Sequence, residues 1–246
     1  MTEISTRPLS THDELREAVR LQKVIWGFAD YESLPLRLFV VATKIGGQVY
    51  GAFDGPNMIA YCLAIPGVKP GAKAYLHSHM LGVLPAYQNL HIGRTLKLEQ
   101  RKDAIARGLD LIEWTFDPLE IKNAYFNIVK LGAIVRRFVL NNYGTTTSHL
   151  HGGLPTDRCF AEWWLLSKRV ETVLAGGQPD WGRIEERIAV PADIAEIRAN
   201  DTKRAREIQK SISERFIQYF DRGLAVVGFE RSEQAGTYLF GQWKPE

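Results

Sequence analysis

The chain has two cysteines in 246 residues, Cys62 and Cys159, far apart and outside any Cys-x-x-Cys pair. That shortage excludes a disulfide-stapled scaffold and a zinc knuckle, and a reducing cytoplasm is the expected setting. No run of about 18 apolar residues occurs, and Met1 to Arg20 lacks the apolar stretch of a signal peptide, so neither a membrane span nor export is expected. Charge of one sign is also scarce: 31 Lys+Arg against 28 Asp+Glu leave +3. Such a surplus is too small to hold a phosphate backbone, so no nucleic-acid partner is expected, while the pI of 8.8 leaves room for an anionic small ligand. Internal repeats and low-complexity tracts are absent as well.

What is present is ordinary globular composition, 45% hydrophobic and 24% charged, in a chain long enough for one or two domains. Leu15, Ala18, Val19, Gln22, Ile25 and Trp26 form a helical stripe after a Ser10 or Thr11 cap. A short helix over Pro35 to Thr43 precedes a strand pair, Val49–Phe53 and Met58–Ile65, turned at Asp54-Gly55-Pro56-Asn57. A strand over Tyr75 to Leu84, a helix over Ile92 to Arg107, a strand over Leu111 to Phe116, a helix over Asn123 to Leu131 and a strand over Ala133 to Leu140 follow. This alternation predicts an α/β sheet with parallel neighbours in its middle. Phe160 to Ser167 reads as a further strand.

Gly176-Gly177-Gln178-Pro179-Asp180 is the densest run of breakers, and it sets the expected domains at 1–175 and 182–246. The second of these reads as a smaller α+β extension: a strand at Arg187–Val190, one long helix from Pro191 to about Asp221, and a hairpin of Ala225–Glu230 and Thr237–Trp243.

The most informative stretch runs from Met80 to Arg94, where a strand enters a loop that opens a helix near Gly93. Unpaired N–H groups at a helix start, with the positive end of the dipole, form a phosphate cradle, and a residue without Cβ lets phosphate approach. A packing glycine is an equal reading of Gly93 alone. Two His-x-His pairs, His77-Ser78-His79 and His149-Leu150-His151, would each put both imidazoles on one strand face. No Cys or carboxylate spacing completes either as a ligand set, so no metal is expected.

The segment Val83…Pro85…Gln88-x-x-His91-x-Gly93-Arg94 before a long helix resembles the acyl-coenzyme A motif of the GCN5-related N-acetyltransferases, the GNAT superfamily. A second hallmark matches in Leu111–Phe116, Asn123 and Lys130-Leu131-Gly132-Ala133, and the likeness in element order covers about Arg7 to Lys168. More narrowly, Trp114-Thr115-Phe116-Asp117-Pro118-Leu119, Asn141-Asn142-Tyr143-Gly144 and Thr156-Asp157-Arg158 resemble a bacterial subgroup of predicted acyltransferases. The resemblance implies a GNAT-like mixed central sheet flanked by helices, with the C-terminal extension appended.

It also implies acyl-CoA as co-substrate, acetyl-CoA or another short acyl-CoA. Leu81 and Val83 would pair with the pantetheine arm, backbone N–H groups of Gln88, Asn89, His91, Ile92, Gly93, Arg94 and Thr95 would hold the pyrophosphate, and Asn123 would meet pantetheine or a water near it. Two departures stand out: His91 occupies the usual first glycine, and Ile128 occupies the position of the usual tyrosine acid, with Tyr125 on another helix face.

Amine attack on a thioester needs a base, and Glu113, Asp117 and His79 are the candidates, because the family arrangement sets them on or at the ends of the strands beside the acyl site. Arg158 is the candidate reader of a substrate carboxylate, with Arg136 and Arg137 read as surface arginines. The expected function is transfer of an acetyl or succinyl-like group from acyl-CoA to a primary amine of a small molecule. An amino acid acceptor follows only from the subgroup resemblance and Arg158. The competing class is a non-catalytic module that binds CoA or another ligand, and a homodimer is left open.

Overall fold

The computed structural model describes residues 3–71, 73–144 and 152–244. The chain divides into two compact units, Met1–Glu113 and a second that holds Trp114–Thr146 and His151–Glu246. They part in the middle of a strand, at Glu113. The breaker-rich stretch 176–180 lies inside the second unit.

The first unit contains β1 (Ile4–Pro8), α1 (His12–Trp26), α2 (Leu36–Lys44), β2 (Gln48–Asp54), β3 (Asn57–Gly67), β4 (Tyr75–Val83), α3 (Ile92–Ala106) and the start of β5 (Leu111–Phe116). α1 begins where the pattern predicts: Thr11 Oγ1 accepts the Glu14 N–H at 3.2 Å, and the Glu14 carboxylate accepts the Ser10 and Thr11 N–H groups at 2.9 and 3.0 Å. Strands β1 to β4 pair antiparallel in sequence order, and β4 joins β5 in parallel through two residue pairs, Leu76–Ile112 and His77–Glu113. β1 carries too weak an alternation to be read from sequence.

Both faces of this sheet are covered. Leu15, Leu21, Phe39, Tyr61, Leu63 and Met80 join α1 and α2 to one face, and Tyr50, Ile59, Cys62, Ile92 and Leu96 join α3 to the other. The α3 side also buries a polar cluster. Lys97, 3% exposed, donates to Ser78 Oγ at 2.8 Å, Ser78 donates to Gln100 Oε1 at 3.1 Å, and Gln48 Nε2 reaches the Gln100 carbonyl and Asp103 at 2.9 and 2.7 Å. Burial pushes the Lys97 ammonium down to about 7 and the neighbouring Cys62 thiol up to about 12.

The second unit continues from β5 through α4 (Ile121–Tyr125), β6 (Ile134–Val139), β7 (Arg158–Trp164), α5 (Lys168–Leu174), β8 (Ile184–Pro191), α6 (Ile194–Asn200), α7 (Thr202–Asp221), β9 (Ala225–Arg231) and β10 (Ala235–Gly241). Its strand order is β5-β7-β6-β9-β10-β8. β9 pairs with β6 at Val135–Val226, so the C-terminal hairpin extends the same sheet. After α4 the helix widens to a π-turn over Phe126–Lys130, with Leu131 N–H on the Phe126 carbonyl. The long helix expected from Pro191 is two helices: Pro191 ends β8, and Asp201, at φ −140°, breaks the run and caps α7 by accepting the Arg204 N–H at 2.9 Å. Phe216 of α7 packs on Phe138, Tyr238 and Phe240 at ring separations of 5.1, 5.0 and 5.4 Å. Among the described residues no helix is long and apolar enough to cross a membrane.

The Lys97 cluster gives a signed expectation. Between pH 7 and about 10 the unfolded chain holds the Lys97 proton while the folded chain sheds it, so stability rises with pH across that window. In urea titrations at pH 7 and 9.5, wild type is expected to gain on Lys97→Met by roughly a few kcal/mol as pH rises. Parallel pH profiles for the two proteins would contradict a desolvated lysine.

Candidate functional site

β4 carries a bulge. Leu63 pairs with Met80 and Ala64 with Ser78, which leaves His79 as the extra residue. The bulge changes which side chains share a face: Ser78 meets Lys97 on the α3 side, and Leu81 and Val83 then pack on that side too, while Met80 turns to Tyr61 on the α1 side. The β5 ladder has by then ended at His77, so the edge of β4 that carries Leu81 and Val83 lies past its two pairs.

Beyond Val83 the chain makes a 3₁₀ turn, Pro85–Tyr87, anchored by the Tyr87 hydroxyl donating to Asp54 Oδ2 at 2.9 Å. Gln88 Nε2 reaches back to the Val83 carbonyl at 3.5 Å. Asn89 and His91 then both adopt left-handed backbone, with φ of 65° and 61°. His91 therefore carries, with an imidazole, a backbone conformation that favours glycine. α3 opens with no side-chain cap, so the first-turn N–H groups of Ile92, Gly93 and Arg94 point out of the helix without one, and Thr95 N–H already bonds to the His91 carbonyl at 3.0 Å.

Gly93 faces β4. A Cβ at this position would lie 3.4 Å from Leu81 Cδ2 and 4.0 Å from Val83 Cγ2. It would point at β4 and meet both side chains at ordinary van der Waals distance, so this face of α3 lies against the strand.

Three candidate bases have distinct surroundings. Glu113 is 2% exposed and ion-paired with Lys69, whose ammonium also lies 4.7 Å from the Tyr75 ring centroid. Asp117 accepts the Leu119 N–H at 2.8 Å and pairs with Arg198 Nη2 at 3.2 Å, which makes it a turn and ion-pair residue. His79, partly buried at the bulge, has no hydrogen-bond partner among the described residues, and its ring lies 6.0 Å from that of His77. Burial pushes its imidazole below the usual value, so it is neutral at pH 7.

In the second unit, Asn123 is exposed on α4 and Ile128 is buried. Arg158 is 8% exposed: Nη1 donates to the Asp157 carbonyl at 3.0 Å and the guanidinium lies 5.5 Å from the Tyr143 ring centroid. Burial pulls its pKa down, against the opposing pull of Asp117, Tyr143 and Asp157. Arg136 pairs with Glu162, and Arg137 covers the Phe160 ring at 3.7 Å.

The two polar motifs around residues 141 and 156 form one clasp. Asn142 N–H donates to the Thr156 carbonyl, Tyr143 N–H to Thr156 Oγ1, and Asn141 N–H to Asp157 Oδ1, at 2.9, 2.9 and 2.8 Å. The clasp holds the Tyr143 hydroxyl 2.8 Å from Thr115 Oγ1 of β5. Tyr143 and Thr115 were visible in the sequence only as parts of motifs, with nothing to pair them. Beside the clasp a cavity of about 440 Å³ opens, walled by Leu140, Pro155, Gln209 and Ile217 among others.

Among the described residues no three His, Cys, Asp or Glu side chains gather as a metal site. His149-Leu150-His151 lies outside the described residues.

No family model matches the sequence, and no curated protein matches it. Solved structures do. The NAA60 protein of Arabidopsis thaliana, solved with a bisubstrate analogue, is 13% identical and superposes with a TM-score of 0.54 over 66% of this chain and 98% of its own. The ribosomal-protein-S18-alanine N-acetyltransferase of Escherichia coli is 16% identical, with a TM-score of 0.51 over 65% and 92%. FeeM, an N-acyl amino acid synthase from uncultured soil microbes, is 15% identical, with a TM-score of 0.50 over 72% and 98%.

Two measurements follow from this geometry. His91→Gly removes a left-handed non-glycine residue and is expected to stabilise the fold by about 1 kcal/mol in chemical denaturation. A loss of stability would show that His91 is held by contacts the backbone angle does not reveal. By NMR, the His79 imidazole is expected to titrate below the ordinary value of about 6.5, with His79→Asn assigning the signal. A midpoint at or above that value contradicts the burial.

Proposed function

We propose that this chain, which has the GNAT fold, transfers an acyl group from acyl-CoA to a primary amine of a small molecule. One observation carries the reading: β4 bulges at His79, runs past its β5 ladder with Leu81 and Val83, and leads through two left-handed residues into the uncapped start of α3. A strand edge with spare amide groups suits the amides of a pantetheine arm, and an uncapped helix start suits a pyrophosphate. Asn123 enters as a pantetheine contact on the resemblance alone.

In this reading His79 is the base. A primary amine with a pKa near that of lysine is almost wholly protonated at pH 7, and an ammonium has no lone pair. The neutral imidazole takes one proton from the ammonium, the freed amine nitrogen bonds to the thioester carbonyl carbon, and, as the C–S bond breaks to release CoA thiolate, the nitrogen gives a second proton to solvent and is left as the neutral amide. The thiolate takes its proton from solvent, since Ile128 stands in place of a tyrosine. Glu113 and Asp117, already ion-paired, are read as structural residues.

Arg158 enters as the reader of an acceptor carboxylate on the chemistry of its guanidinium alone. FeeM supports an amino acid as the acceptor. The acyl group is acetyl or succinyl-like.

The test is release of free CoA thiol from acetyl-CoA and succinyl-CoA with a panel of amines. Acetyl-CoA at a hundred times its Kd is expected to raise stability by about 2.7 kcal/mol. His79→Gln is expected to lower turnover by roughly 10²–10⁴-fold with CoA affinity unchanged. Binding of CoA with no thiol release from any pairing would establish the non-catalytic binding module instead.

A further inference from the structure

The C-terminal segment from α6 to β10 reaches back into the second unit through polar contacts aimed at two loops. Arg198 of α6, buried, pairs with Asp117 Oδ2 at 3.2 Å and Glu120 Oε1 at 3.0 Å, at the two ends of the turn between β5 and α4. The Tyr238 hydroxyl of β10 donates to the Pro118 carbonyl in the same turn at 2.7 Å. From α7, the Ser213 hydroxyl donates to Asp157 Oδ2 at 2.7 Å, and Gln209 Nε2 donates to the Pro155 carbonyl at 2.8 Å. Asp157 is 4% exposed, and its other oxygen holds Asn141 N–H in the clasp.

We infer that the segment α6–β10 is the positioning element of the acceptor side, with Ser213 setting the clasp through Asp157 and Arg198 setting the Asp117–Glu120 turn. The inference rests on the acyltransfer reading for the word acceptor, and on geometry alone for the positioning. Apolar packing tolerates small slides between elements, whereas hydrogen bonds to buried carboxylates weaken within a few tenths of an ångström. The clasp receives such a bond at Asp157, and the turn receives its bonds from the buried Arg198 guanidinium. The clasp passes the constraint on to Tyr143 and Thr115, and Asp157 passes it to Arg158 through its carbonyl. The segment therefore acts through other residues and is not itself catalytic.

Ser213→Ala removes one hydroxyl and is compared in the full chain with Ser213→Thr, which restores it. Two readouts are taken. Hydrogen exchange at the Asn141, Asn142 and Tyr143 amides is expected to quicken about tenfold in Ser213→Ala and to return toward wild type in Ser213→Thr. With acetyl-CoA and an equimolar mixture of the common amino acids, the apparent acceptor KM is expected to rise about tenfold while kcat and the acetyl-CoA KM stay within about twofold. Unchanged exchange at the three amides overturns the inference, as does quickened exchange with an unchanged acceptor KM, or acceptor and acetyl-CoA constants that move together. A wild-type chain that neither binds acetyl-CoA nor releases its thiol overturns the acyltransfer reading, and the exchange readout then decides the positioning by itself.

Discussion

One extra residue in β4, His79, decides which way the rest of that strand faces. Side chains along a strand alternate, so Ser78, Met80 and Gly82 would otherwise share one side. With His79 inserted, Ser78 meets Lys97 below the sheet while Met80 and Gly82 turn above it, where a Cβ on residue 82 would lie 2.6 Å from the Trp26 ring. Leu81 and Val83 are thereby free to seat α3. The left-handed pair Asn89 and His91 completes the turn from strand into helix. Moving the bulge by one residue would exchange the two cores and misdirect the loop.

Both units hold their geometry with buried polar groups. In the first, an ammonium with almost no solvent contact sits between α3 and β4, a costly choice that apolar residues of similar size would improve on for stability. In the second, Arg198 is buried with partners from the Asp117–Glu120 turn, and Asp157 is buried between Asn141 N–H and the Ser213 hydroxyl of α7. Directional contacts of this kind fix register, and here they do so at β4, the Asp117–Glu120 turn and the clasp.

Much of the architecture was legible because periodicity and breakers agree locally. The Thr11 cap, the Asp54–Asn57 turn and the Leu111–Phe116 strand all lie where short-range rules put them. Long-range effects were not legible. β8 to β10 look like a separate extension from the Gly176–Asp180 breakers, yet β9 pairs with β6, a long-range pairing that no local pattern encodes. The split of the Pro191–Asp221 run at Asp201 was hidden because the apolar stripe continues on both sides of it. At the candidate site the loop and His91 were readable as motif positions, while the bulge at His79 was not, since it depends on the register of β3. Ser213 and Arg198 gave no signal at all, being ordinary polar residues on an amphipathic helix until the fold brings carboxylates to them.

The two cysteines have a practical consequence. Cys62 lies in the first unit and Cys159 in the second, both buried with their thiols pushed far from reactivity. A thiolate is the species that alkylating and disulfide reagents attack, so the native chain is close to silent toward them. Any sulfhydryl colour that develops from the folded protein with an acyl-CoA then belongs to the released coenzyme. When the reagent does reach protein sulfur, it does so by way of an opening event, and each unit carries its own single label. Mass spectrometry of the modified chain thus dates the opening of one unit independently of the other, a two-channel clock that the near absence of cysteine builds into the molecule.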